Sequence, residues 1–160
     1  MAAPAIPQPD ALAGTVANEL ATLRTFVALL GHERDSLSKG EAESLAALAV
    51  EKSAMATELT RLAASRDTEL GRMGLPSGRA GMDAWLITRP GKNQAAWNEL
   101  LGLAAEARTL NETNGKLIQL HLQNNQQALS VLMAAVDQAV TYGPDGQQKS
   151  GAGGRSLGSA

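Results

Sequence analysis

The stretch from Gln94 to Tyr142 limits what this chain can fold into more than any other part of the sequence. It has no proline, and apolar side chains recur every three or four positions. That spacing is the period of an amphipathic helix with a wide apolar face. At about 1.5 Å per residue such a helix is roughly 70 Å long, so it needs packing partners along its whole length. The apolar positions form two adjacent rows: Trp97, Leu101, Ala104, Ile118, Leu122, Leu129, Leu132 and Val136, and Leu100, Leu103, Ala107, Leu110, Leu117, Ala128, Met133 and Val140.

Polar residues and a glycine interrupt these rows at Asn111, Asn114, Gly115 and Asn125. Polar residues at core positions of a coiled coil lower stability but fix its register. The other interpretation is that these residues face water where the apolar rows drift around the helix, and periodicity alone favours neither. Glycine inside a helix costs about 1 kcal/mol relative to alanine. Gly115 therefore predicts a close approach by another backbone.

Composition favours an all-α fold. The 160-residue chain has one Phe, two Trp and one Tyr, whereas β-sheet cores normally use more aromatic and β-branched residues. Alanine and leucine combined with Glu, Arg and Gln favour helix. The length suits one domain, which we place at residues 1–142. Residues 1–9 contain three prolines and are predicted to be extended or disordered. The Gly- and Ser-rich residues 143–160 are predicted to form a flexible, disordered tail.

Several classes of function are disfavoured by the same composition. A formal net charge of −2, without a basic patch or stacking aromatics, argues against nucleic-acid binding. The absence of cysteine removes disulfides, thiolate zinc sites and cysteine nucleophiles. No apolar run is long enough to span a membrane, and the N-terminus lacks the pattern of a secretory signal. We therefore expect a soluble protein that remains where it is made and does not insert into a membrane, and the lack of cysteine permits the cytoplasm.

The predicted helices span residues 10–37, 41–70, 82–88 and 92–142. Asp10 is a suitable N-cap for the first, and Ser38 to Glu41 has the Ser-x-x-Glu pattern of a capping box for the second. So short a turn predicts that the first two helices pack as an antiparallel hairpin. The long fourth helix would complete a three-helix bundle resembling a coiled coil. The first two helices carry apolar rows at Leu12, Val16, Leu20, Leu23, Val27, Leu30 and Leu37, and at Leu45, Leu48, Met55, Leu59 and Leu62.

Polar residues also interrupt the apolar row of the second helix. We expect Lys52 and Arg66 to cover apolar surface with their stems while their charged heads reach water. The glycine-rich segment 71–81 is predicted to be a flexible connection. Trp85 and Trp97, which follow it, are spaced to cover the open end of the hairpin, so we interpret both as core residues.

The sequence contains no recognisable catalytic or metal-binding pattern. His32 and His121 lie on different helices, and neither has a second histidine at zinc-ligand spacing. There is no Gly-x-Ser-x-Gly elbow and no phosphate-binding Gly-x-x-x-x-Gly-Lys loop. We expect no enzyme activity, no cofactor and no metal.

An unpaired apolar surface is the remaining candidate site. The fourth helix is predicted to extend beyond the hairpin, leaving in water a strip made of Leu117, Ile118, Leu122, Leu129, Leu132, Met133, Val136 and Val140. Contiguous exposed apolar surface usually marks a binding site, and an amphipathic helix is its natural ligand. Folding back on the hairpin, or pairing with a second copy, explains the strip equally well on these grounds.

Three short motifs carry a family resemblance. They are Asn111-Glu-Thr-Asn114-Gly115-Lys-Leu117-Ile118, Tyr142-Gly143-Pro144-Asp145-Gly146 and Gly154-Arg155-Ser156-Leu157. In this order and spacing they resemble the FlgN family of flagellar type III export chaperones. The sequence departs from the family pattern in its alanine content, its glycine-heavy linker and its extended Gly-Ser tail.

The resemblance implies a cytoplasmic chaperone without ATPase activity. Its partners would be the C-terminal helical segments of hook–filament junction proteins and the cytoplasmic domain of the flagellar export gate. The strip would hold the cargo until export, and Tyr142 would contact the gate. The alternative is a structural coiled-coil protein that self-assembles through the same strip, and weak homo-oligomerisation is compatible with either.

Overall fold

The computed structural model describes residues 10–141, with side-chain burial assigned as far as Val140. In this range the elements are four α-helices: α1 (Ala11–Lys39), α2 (Ala42–Arg72), α3 (Gly78–Thr88) and α4 (Lys92–Thr141). The all-α prediction is confirmed. The predictions made for residues 1–9 and for the tail 143–160 lie outside the described residues.

The first helix starts where the sequence predicts. Asp10 has an extended backbone, and its Oδ1 accepts hydrogen bonds from the backbone N–H groups of Leu12 (3.2 Å) and Ala13 (3.4 Å). Two donors that helix geometry leaves unpaired are satisfied in this way. The other carboxylate oxygen of Asp10 pairs with Arg89, directly after α3. The predicted N-cap is confirmed.

The turn between α1 and α2 differs from the predicted capping box. Gly40 ends α1 in the left-handed region (φ 71°), and its N–H donates to the Leu37 carbonyl. Glycine occupies this region without steric cost. Ser38 still belongs to α1, where its hydroxyl donates to the Arg34 carbonyl at 2.9 Å. Glu41 is the N-cap of α2 and makes no side-chain capping bond. The capping-box prediction is wrong because the C-cap of α1 occupies the residues that the box needs.

Buried ion pairs set the register of the α1–α2 hairpin. Glu19 pairs with Arg66, and Glu33 pairs with Lys52 at 3.0 Å. The two acids are 14 residues apart on α1, and the two bases are 14 residues apart on α2. Because the later acid pairs with the earlier base, the two helices run antiparallel. The predicted hairpin is therefore present. The prediction that the charged head of Arg66 reaches water is wrong, whereas the Lys52 side chain stays 26% exposed beside its partner Glu33.

The core of the first unit is concentrated at the end of the hairpin away from its turn. Trp85 and Trp97 are 2% and 3% exposed, which confirms that both are core residues. They belong to one buried apolar cluster with Leu12, Val16, Leu20, Leu23, Leu30, Leu70, Met82, Leu86, Leu100 and Ala107. The α1 row is buried nearly as predicted, whereas Leu62 and Leu70 are the buried residues of α2. The N-terminal half of α2 therefore contributes little to the core.

The connection between α2 and α3 is shorter and more closely packed than predicted. It covers residues 73–77, because α2 extends to Arg72 and α3 begins at Gly78. The Gly78 N–H donates to Asp67 Oδ1 at 2.8 Å, which ties the start of α3 back to α2. A Cβ added at Gly81 would lie 1.8 Å from the Pro76 carbonyl oxygen. The prediction of a flexible linker over residues 71–81 is corrected to a tight turn followed by helix.

Within the first unit, α4 runs parallel to α1. Arg24 of α1 pairs with Glu99 of α4 at 2.7 Å, and further along both helices the Asn114 side chain reaches the Leu30 carbonyl. The buried residues of α4 in this unit are Trp97, Leu100, Ala107 and Asn114. The face of α4 that enters the core is therefore rotated about the helix axis relative to the predicted row, so that Leu101 is half-buried and Ala104 is exposed.

The chain divides into two compact units, residues 1–118 and 119–160. The assignment of residues 1–142 to one helical domain stays a prediction.

Candidate partner-binding surface

The described helix of the second unit exposes an apolar strip. Every residue from Leu122 to Val140 is exposed. Heptad spacing places Leu122, Leu129 and Val136 at one core position, and Asn125, Leu132 and Ala139 at the other. Met133 and Val140 lie beside them. The α4 strip is defined as Leu122, Leu129, Leu132, Met133, Val136 and Val140, whose exposed fractions range from 52% to 74%.

This exposure is unusual for a helix that is stable by itself. An amphipathic helix normally derives most of its stability from packing its apolar face rather than from intrinsic propensity. The α4 strip has six large apolar side chains on one face, each more than half exposed. Burying such a side chain completely stabilises by about 1.5–3 kcal/mol. The strip therefore has the chemistry of one half of a helix–helix interface.

Two of the eight predicted strip residues belong to the first unit instead. Leu117 is half-buried, and Ile118 is 40% exposed. Ile118 contributes to an open groove of about 570 Å³ between α1, α2 and α4. Its apolar lining comes from Phe26, Ala49, Ala56, Ala107 and Ile118. The structure thus brings together six of the predicted residues and separates these two. Tyr142, the predicted contact with the export gate, lies outside the described residues.

Asn114 and Gly115 resolve the two interpretations of the polar interruptions. Asn114 is fully buried, and its Nδ2 donates to the Leu30 carbonyl at 2.9 Å and to Glu33 Oε2 at 2.7 Å. Asn111 and Asn125 are exposed. A Cβ added at Gly115 would meet nothing within 4 Å, so the predicted close backbone approach is wrong among the described residues. Among these interruptions, Asn114 alone is a polar core residue of the first unit.

Buried polar clusters that the sequence interpretation missed fix the first half of α4 on the hairpin. In one cluster, Glu33 accepts hydrogen bonds from both Lys52 Nζ and Asn114 Nδ2. In the other, Arg66 pairs with Glu19 and lies over the Trp97 ring, 5.1 Å from its centroid. Such contacts have strict geometry, so they favour one register over slipped alternatives.

The sequence signal for these ion pairs was the matching 14-residue spacing of Glu19 and Glu33 on α1 and of Lys52 and Arg66 on α2.

Other ion pairs of the hairpin lie on its exposed surface. On the outer face of α2, Arg61 donates to the exposed Glu58 carboxylate at 2.6 and 2.8 Å. This hydrogen bond lowers the pKa of Glu58 and raises the pKa of Arg61.

The described residues offer neither a metal-binding cluster nor a membrane-spanning helix. No group of three or more His, Cys, Asp or Glu side chains in residues 10–141 is placed to hold a metal ion. Over the same range, no helix combines the length and the apolar character needed to cross a membrane. His32 is exposed, and His121 is half-buried.

Known proteins resemble this chain in two comparisons. The model of the family described as FlgN protein matches residues 1–150. Two curated proteins named Flagella synthesis protein FlgN, from Yersinia enterocolitica and from its serotype O:8 / biotype 1B, are each 45% identical over 53 residues. The matched segment covers 33% of this chain and 35% of each relative. No solved structure matches. Since the family model matches nearly the whole sequence, the chain belongs to the FlgN family.

Proposed function

We propose that this protein is a cytoplasmic flagellar export chaperone that binds its cargo through the α4 strip. The cargo would be the C-terminal helical segments of hook–filament junction proteins, which the chaperone keeps from associating early and delivers to the export gate. The observation that carries this proposal is the exposed heptad row of α4, because its natural complement is another amphipathic helix. Membership of the FlgN family and the flagella-synthesis name of the relatives support the flagellar context.

The size of the strip suits a complex that must later be released. About half of the surface of six apolar side chains remains to be buried, which gives a gross stabilisation of roughly 5–9 kcal/mol. Association costs at least about 4 kcal/mol in lost freedom of motion. A matching apolar row on the partner helix is buried at the same time and contributes a similar amount, so the complex is stable enough to isolate yet still dissociates. A chaperone that releases its cargo at the export gate requires reversible binding.

Tyr142 is proposed as the contact with the cytoplasmic domain of the export gate. The residue follows α4 directly and is the only tyrosine of the chain. Tyrosine is enriched among the residues that dominate binding interfaces. Tyr142→Ala is expected to weaken binding to the gate domain while leaving cargo affinity nearly unchanged. Equal losses in both binding assays would contradict this division of roles.

The cargo proposal is tested by size-exclusion chromatography with light scattering. The protein is run alone and with the C-terminal helical segment of a hook–filament junction protein, and a stable complex is expected. Leu129→Asp combined with Leu132→Asp should abolish that complex and leave most of the helical circular dichroism. The matched control is Gln123→Asp combined with Gln127→Asp, which adds the same charge to the opposite face of the same exposed segment.

Two outcomes of this experiment would overturn the proposal. If the control variant loses cargo binding as fully as the strip variant, the strip is not the binding face. If the protein forms large assemblies and no complex with the cargo segment, the strip serves self-assembly, and the structural coiled-coil alternative is favoured instead.

A further inference from the structure

Charge is nearly absent around the α4 strip. In coiled coils, the positions that flank the core usually carry Glu, Lys or Arg, and their ion pairs set partner choice and orientation. Here the flanking positions are occupied by His121, Gln126, Ala128, Met133, Ala135 and Val140. Between Gln119 and Thr141 the one acidic residue is Asp137, which lies outside these flanking positions, and there is no Lys or Arg. Apart from His121 at the N-terminal end of the strip, these flanks carry no ionisable side chain, so ion pairs there contribute little to partner choice or register.

Asn125 is the one polar residue at a heptad core position of this segment. It follows Leu122 by three positions and precedes Leu129 by four, so it occupies the core layer between them. The residue is exposed in the free chain. A docked helix would cover it, and a buried amide without a hydrogen-bond partner is costly. A partner that places a polar side chain in the same layer avoids this cost.

Under the proposed function, the occupant of the strip is a helix of another molecule. Outside the described residues, the chain has few large apolar side chains: Met1, Ile6, Tyr142 and Leu157. These cannot match the six large apolar side chains of the strip. A helix with a complementary row can, and the absence of flanking charge favours one whose own flanks are uncharged. Charged flanks would lose part of their hydration there without gaining an ion pair.

We infer that Asn125 is the register- and specificity-determining residue of the α4 strip, and that its partner is an amphipathic helix with uncharged flanks and an amide or hydroxyl side chain in the matching core layer. This inference rests on the proposed function and narrows its class of cargo. A slipped register would place Asn125 against an apolar layer and leave the amide unpaired. The preference for one register is therefore generated by one side chain.

The test is a double-mutant cycle between the full chain and three synthetic helices. Each peptide is about 21 residues long, with leucine at the core positions and glutamine at the flanks. One has leucine in all six core layers, one has asparagine in the second layer and one has asparagine in the fifth. These layers face Asn125 in a parallel and in an antiparallel complex, respectively. Affinities for the wild type and Asn125→Leu are measured by fluorescence anisotropy, with light scattering to establish stoichiometry.

We expect one asparagine peptide to show a coupling of about tenfold or more with Asn125, and the other to show none. Because peptide self-association is the same for both protein variants, it cancels from the coupling. Coupling within twofold for both asparagine peptides, although the peptides bind, would overturn the inference and leave the proposed function standing. Failure of all three peptides and of the junction-protein segment to bind would overturn both. A dimer of the free chain that no peptide dissociates would identify a second copy as the occupant and would also overturn the inference.

Discussion

Removing the guanidinium of Arg66 tests whether the buried ion pairs hold the hairpin as the structure indicates. The Arg66 and Glu19 side chains are 11% and 9% exposed, and they pair across α1 and α2. The same guanidinium lies over the Trp97 ring of α4. Arg66→Met retains most of the aliphatic volume but leaves the Glu19 carboxylate buried without its cation.

The expected cost follows from that burial. Breaking a buried ion pair by removing one partner typically destabilises by about 3–5 kcal/mol, because an uncompensated charge stays in the interior. Loss of the cation–π contact with Trp97 adds to this cost. A loss of this size is a large fraction of the roughly 5–15 kcal/mol by which native domains are stable. Replacing both partners, as Glu19→Leu with Arg66→Met, should recover most of the loss, since the double variant buries no charge.

Urea unfolding followed by circular dichroism measures these free energies of unfolding. Arg61→Met is the matched control, because Arg61 also lies on α2 and pairs with Glu58 at 2.6 Å, but on the exposed face. The control should unfold at nearly the same urea concentration as the wild type, since exposed pairs contribute little. If Arg66→Met is no less stable than Arg61→Met, or if the double variant is as unstable as the single one, the assignment of a structural role to this pair is wrong.

Two further predictions concern residues that the sequence did not distinguish. Gly81→Ala should lower stability by about 1–3 kcal/mol in thermal or urea unfolding, because its Cβ would overlap the Pro76 carbonyl. Gly115→Ala should raise it by about 0.5–1 kcal/mol, since the space there is open; the opposite order of the two variants would contradict this packing. Asn114→Leu should cost about 1–3 kcal/mol by removing a buried donor to Glu33, whereas the exposed Asn111→Leu should change unfolding little. Equal effects of these two leucine variants would contradict the burial of Asn114.

The predictions of helix boundaries succeeded where interactions between neighbouring residues determine the boundary. Asp10 caps α1 because its carboxylate accepts two backbone N–H bonds that any helix start leaves free, and this follows from a few neighbouring residues. The prediction for Ser38 failed because two local rules competed for the same turn. The C-cap at Gly40 prevailed over the capping box.

The candidate strip was predictable in its second half for a related reason. Heptad spacing gives the face on which Leu122, Leu129 and Val136 lie, whatever the rest of the chain does. Whether that face is covered depends on the packing of other helices. Leu117 and Ile118 have the same local pattern, yet they belong to the first unit, where Ile118 lines a groove with residues of α1 and α2. No pattern within α4 separates these two residues from the other six.

The sequence by itself determined the all-α class, the antiparallel hairpin and the apolar row of the long helix, because periodicity, capping and turn length act over short stretches of chain. Tertiary structure decided which polar residues of that pattern are buried. Asn114 is buried, while Asn111 and Asn125 are exposed, although all three interrupt the same apolar rows. The physical reason is that a buried amide needs a partner, and the partners of Asn114 lie more than eighty residues away on α1.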